Sequence, residues 1–159
     1  MHRVKIHLFR GTGLVGWFIR WRTWRPYAHA AIEVDGILYE AVENPFPKGS
    51  VIKNDVSEAW IPGRQEPAIT LVPEQLSDTN IQKLKNFLEE AVGTPYDYWA
   101  VIAFLSRKKE RVTSKSKYFC SELVCEAFAW IDKPLFHRLH CRKVSPGLIA
   151  NSVRLKELK

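Results

Sequence analysis

Three residues that lie far apart along the chain carry the groups that acyl transfer requires: Cys120, His29 and Glu40. Cys120 stands in the stretch Lys117-Tyr118-Phe119-Cys120-Ser121-Glu122-Leu123-Val124-Cys125-Glu126-Ala127-Phe128. Leu123, Val124, Ala127, Phe128 and Ile131 recur at the three- and four-residue spacing of a buried helical stripe. Glu122 falls in the first turn, where a carboxylate complements the positive end of the helix dipole. The spacing therefore puts Cys120 at a helix N-terminus, just after the lysines of positions 115–117. A sulfur in such surroundings favours the nucleophilic thiolate, whereas a cysteine without a basic partner is simply a small buried hydrophobe. The partner decides between the two.

The partner is legible in a hairpin. His29 to Val34 and Ile37 to Val42 flank Asp35-Gly36, a dipeptide that specifies a two-residue turn. That loop pairs Val34 with Ile37, hence Ala31 with Glu40 and His29 with Val42. Side chains alternate between faces, so His29, Ala31 and Glu33 share one with Leu38, Glu40 and Val42. Glu40 then lies diagonally across from His29, with Cβ atoms roughly 7 Å apart or less. Glu33 is about 13 Å along the strand from His29, and Glu43 points to the other face. The expected constellation is a cysteine nucleophile, a histidine base and a carboxylate that orients the base.

The remaining elements must hold these three together. Val4, Ile6 and Leu8 alternate with Lys5 and His7 and predict a half-buried first strand. Leu14, Trp17, Phe18 and Trp21 share a helical face, followed by the interleaved Trp21-Arg22-Thr23-Trp24-Arg25. Runs 51–56 and 68–72 suit two further strands. Ser77 caps a helix through Ile81, Leu84, Leu88 and Ala91 that Gly93 ends. Thr94-Pro95 starts an apolar helix over 96–105, and the basic run 107–117 reads as a solvated connector. Asp132-Lys133-Pro134 closes the Cys120 helix, and Ser145-Pro146 caps a last short one.

Composition bounds the rest. The 159 residues suit one domain spanning 1–159, with 46% hydrophobic and 26% charged residues in the ordinary globular range. Three cysteines make no disulfide framework and fit a reducing compartment or a reactive thiol. His137, His140 and Cys141 lack metal-ligand spacing, so neither a metal nor any other cofactor is expected. With no apolar run of membrane-spanning length and no apolar core behind Met1 to His7, the chain as encoded is expected in the cytoplasm. Action on the cell wall would then require delivery by a phage or a secretion machine. A net charge of +7 predicts attraction to anionic surfaces such as wall polymer or membrane, with no obligate nucleic-acid partner.

Four blocks, "YAHAAIEVDGILYEAV", "GTPYDYWAVIAF", "YFCSELVCEAF" and "SPGLIANS", resemble those of the permuted NlpC-type, papain-like cysteine hydrolases of the YiiX/YebB-like branch. They come in that family's order, with His29 and Glu40 ahead of Cys120, over about Gly11 to Ser152. The resemblance implies an α+β, circularly permuted papain-like fold, with a small antiparallel sheet or open barrel packed against helices. It implies Cys120 as nucleophile, His29 as base and Glu40 as third member, acting on amide bonds, often in murein peptides. Lecithin-retinol acyltransferase-like proteins share the permuted order and act on lipid acyl groups, but carry an Asn-Cys-Glu-His-type block instead of Cys-Ser-Glu-Leu.

The substrate classes left open are therefore peptide, amide and acyl-lipid. Tyr118, Trp17 and Tyr96 are the aromatic candidates for contacting substrate. A reading of another class is a non-catalytic basic module for nucleic acid or anionic membrane, built on Trp17 to Arg25 and the 107–117 run. Its mark would be binding that weakens steeply with salt and ignores Cys120.

Overall fold

The computed structural model describes residues 2–10, 20, 21, 23–43, 48–59, 66–98 and 117–158. Among these, six antiparallel strands form one sheet packed against helices, an α+β architecture. The strands are β1 (Val4–Phe9), β2 (His29–Val34), β3 (Ile37–Val42), β4 (Ser50–Asp55), β5 (Ile69–Pro73) and β6 (Leu155–Glu157). Their order is β4-β3-β2-β1-β5-β6. The helices are α1 (Val56–Ala59), α2 (Asp78–Ala91), α3 (Cys120–Trp130) and α4 (Pro146–Ile149), with a 3-10 turn at Cys141–Lys143.

Local chemistry sets the joints. Both central residues of the β2–β3 turn, Asp35 and Gly36, have positive φ (50° and 83°), as the tight mirror-image hairpin turn requires. The register is the expected one, with Val34 opposite Ile37 and Ile32 opposite Tyr39. Ser77 accepts from the backbone N–H of Asn80 to cap α2, and Ser145 does the same for α4 from Leu148 with Pro146 behind it. At the end of α3, Asp132 adopts φ 56° and the N–H of Lys133 donates to the carbonyl of Phe128, satisfying a carbonyl left over by the helix.

One face of the sheet presents Val4, Ile6, Leu8, Ala30, Ile32, Val34, Tyr39 and Ala41 to the helices. Ile81, Leu84 and Leu88 of α2 and Leu123, Val124, Ala127 and Phe128 of α3 complete this core. The opposite face differs from the expected half-exposed pattern. His7 is only 4% exposed, because Thr70 and Glu33 engage its two ring nitrogens at 3.0 and 2.9 Å. Phe9, Ala31 and Leu38 make a second small apolar cluster there.

Two further expectations are corrected, and one feature goes beyond them. Cys125 and Cys141 form a disulfide with Cα atoms 5.4 Å apart, and Cys120 is the free cysteine. Sequence spacing concealed the bond because the pairing spans two elements that meet only when the 3-10 turn packs on α3. Pro95 and Tyr96 start no helix. They are extended, bridging to Ser50 and Tyr118, since the N–H of Tyr96 is taken by Gly49 and that of Asp97 by Tyr118. And α3 is buried around its whole first turn, Ser121 and Glu122 included, because the segment after the 3-10 turn covers it. Arg20 and Trp21 of the expected helix over 14–22 and Tyr98 of the apolar helix are helical, while 14–19, 22, 99–105 and most of the 107–117 run lie outside the described residues.

Closing a loop of 16 residues restricts the unfolded chain. Replacing both Cys125 and Cys141 by alanine is expected to destabilise the oxidised protein by about 3 kcal/mol. Chemical denaturation of the double variant beside the wild type measures this; equal midpoints would mean that the bond constrains nothing.

Candidate active site

His29 is the first residue of β2 and Cys120 the first of α3, and α3 packs on β2. The two elements thus deliver their leading residues to one place. Cys120 comes close enough to the His29 ring for its sulfur to raise the ring's pKa. The ring also meets Glu40, with Nε2 2.9 Å from Oε2. Phe9, the register partner of His29 on β1, lies against the imidazole with ring centroids 5.6 Å apart.

The environment favours the charged form of the imidazole. Burial of the imidazole opposes its charged form, but the hydrogen bonds and charges of Cys120 and Glu40 outweigh this and lift its pKa to about 10. Glu40 and Cys120 are both buried, whereas the His29 side chain keeps 27% of its surface exposed. Cys120 is the first residue of α3, so its N–H belongs to the helix-start donors that lack an intrahelical acceptor.

Of the aromatic candidates, Tyr96 is buried and near enough to Cys120 to sense its charge. Burial first, then that charge, raises its hydroxyl pKa well above the usual value. Its ring packs on Tyr98 at 4.9 Å. Tyr118 is half-buried, with its ring edge-on to Phe87 of α2 at 6.2 Å, and its backbone pairs with residues 95–97 just before α3. Trp17 lies outside the described residues.

Two groups beside the site were not singled out for it from the sequence. Glu122, 3% exposed, accepts from Arg142 Nε at 3.0 Å. Burial raises its pKa to about 7, opposed by Arg142 and by the backbone N–H of Phe119, with Asp97 adding to the rise. Asp97, also buried, is the second. Glu122 was visible only as a helix-start carboxylate, and nothing in the spacing links it to Arg142.

No family model and no curated protein matches the sequence. A solved structure does resemble it: the metalloprotein yiiX from Escherichia coli O157:H7 (DUF1105), at a TM-score of 0.65. The match covers 100% of this chain and 96% of yiiX, at 14% identity. The chain folds like yiiX. At that identity the likeness to yiiX concerns the fold alone. Among the described residues no group of three or more His, Cys, Asp or Glu side chains is arranged to hold a metal ion. His137 pairs with Arg154, His140 accepts from the N–H of Arg142, and Cys141 is in the disulfide. No helix among the described residues is long and apolar enough to cross a membrane.

Proposed function

We propose that the chain is a cysteine hydrolase of the permuted NlpC-type, papain-like kind, a single domain that cleaves amide bonds, with murein peptides as the first substrate class. One observation carries this reading: His29 is hydrogen-bonded to Glu40 and lies near enough to Cys120 for the sulfur to act on its charge, the grouping of thiol, imidazole and carboxylate that nucleophilic catalysis uses. In the proposed cycle the imidazolium of His29 faces the thiolate of Cys120. The thiolate attacks the acyl carbon, and the oxyanion that forms is met by helix-start N–H groups, that of Cys120 among them. His29 gives its proton to the leaving amine as the C–N bond breaks, which leaves a thioester. Neutral His29 then takes a proton from water, the hydroxide equivalent attacks the thioester, and the carboxylic acid departs as the sulfur recovers its place in the ion pair. Glu40 touches no reacting atom in this scheme. It is a positioning residue that holds Nε2 and stabilises the imidazolium.

A specific observation favours acyl-lipid as the second substrate class. Trp21 and Trp24 are 60% and 89% exposed, and Trp24 holds a left-handed backbone (φ 53°). Indoles held out to solvent near a basic segment suit a lipid–water interface. Trp24 is also only five residues before His29, at most about 18 Å of extended chain.

The test is a thiol-directed activity probe on the native protein, mapped by mass spectrometry and competed by murein peptides, by acyl-lipid vesicles and by small amides. Labelling is expected at Cys120 with protection by murein peptides. Protection by vesicles alone would move the substrate to the lipid class, and labelling that prefers another residue would overturn the site.

A further inference from the structure

The first turn of α3 is fastened to the chain segment 141–144 in three places. The hydroxyl of Ser121 donates to the carbonyl of Val144 at 2.6 Å. The carboxylate of Glu122 accepts from Arg142. One turn further on, Cys125 is bonded to Cys141. All three ties lie within five residues of Cys120, and none takes part in the chemistry proposed above.

The Glu122–Arg142 pair is the one that packing does not explain. Both side chains are largely withdrawn from water, at 4% and 13% exposure. Oxygen Oε1 is engaged, but Oε2 is buried with no hydrogen-bond partner. A buried ion pair stabilises a fold no better than apolar residues of the same volume, and an incompletely satisfied one does worse. Such a pair does have directional geometry. Glu122 itself stands on the first turn of α3, two residues after Cys120. The titratable groups that face the carboxylate are Arg142 from the 3-10 turn and, from the bridged strand pair ahead of α3, Asp97 and Tyr118. A rigid link thus runs from Arg142 through Glu122 to the backbone on which Cys120 is mounted.

We propose that Glu122 and Arg142 are positioning residues for the nucleophile, pinning the first turn of α3 to the 141–144 segment so that the Cys120 sulfur faces His29. This rests on the cysteine-hydrolase reading. The Cys125–Cys141 bond serves the same end by holding the 3-10 turn, and with it Arg142, against α3.

The readout is the pH profile of Cys120 alkylation by iodoacetamide, mapped by mass spectrometry, with the melting temperature as the control for folding. In Arg142→Gln the alkylation rate near neutral pH is expected to fall about tenfold in a protein that still melts cooperatively, because small misplacements of a reacting group have large kinetic costs. Arg142→Lys keeps the charge without the planar donor and is expected between that variant and the wild type. A wild-type profile in folded Arg142→Gln overturns the proposal. If Arg142→Gln does not fold, a wild-type profile in Arg142→Lys does so. His29→Ala in the same assay separates the two readings. Alkylation that ignores His29 removes the Cys–His pair itself, whereas alkylation that needs His29 but ignores Arg142 removes only the positioning role.

Discussion

Cys120→Ser is expected to lower turnover by about four to six orders of magnitude while leaving the melting temperature close to that of the wild type. The serine differs from the thiol by one atom at a site that is 3% exposed, so packing is conserved. What is lost is the nucleophile, since a hydroxyl next to this imidazole gives up its proton far less readily than a thiol. His29→Ala is expected to cost a comparable amount, and the double variant little more, because residues that act as one unit do not contribute additively. Steady-state kinetics on the substrate found by the competition experiment, with single-site alkylation as the check, measures both. Activity that survives Cys120→Ser would leave a basic domain without a catalytic role, and the salt dependence of its binding would then be the informative measurement.

Glu40 is expected to show a large effect of a different kind. Glu40→Gln retains an acceptor for the Nε2 proton but removes the charge, whereas Glu40→Ala removes both and leaves a hole in a buried position. The Ala variant should lose about 10²- to 10⁴-fold in kcat, the Gln variant less. The pH profile separates orientation from charge. The His29 pKa is raised to about 10 against the effect of burial, with Cys120 and Glu40 both favouring the charged ring. In the wild type the imidazolium is therefore present through neutral pH, and activity is lost as pH rises through the folded-state value. With the Glu40 charge gone, burial weighs more heavily and the pKa falls. The alkaline limb in Glu40→Gln must then move to lower pH, and an unmoved limb would mean that Glu40 only orients the ring.

The parts of this protein that were legible in the sequence are those decided by neighbours along the chain. Asp35-Gly36 dictates a tight turn through its backbone dihedral angles, and the turn sets the register that brings Glu40 to His29. Ser77, and Ser145 with Pro146, mark helix starts because a cap is a hydrogen bond between residues three apart. Cys120 falls at the head of α3 for the same reason, as the residue before a stripe of apolar side chains begins. Each of these is a local conformational preference that survives whatever packs around it.

Tertiary structure alone decided the rest. His7 reads as the exposed half of an alternating strand, yet it is buried, because β1 lies between β2 and β5 and so meets Glu33 and Thr70 from either side. Cys125 and Cys141 read as unpaired, and Glu122 only as a helix-start carboxylate, until the 3-10 turn folds back over α3. In each case the partner is 16 or more residues away, and no periodicity or turn chemistry encodes it. Such contacts form only when separate elements dock, and shape and burial across the whole sheet–helix core select which side chains meet. The sequence by itself therefore determined which residues begin each element near the site and which carboxylate lies beside the histidine. The meeting of Cys120 with His29, and what holds Cys120 in place, were determined by the packing of α3 on β2.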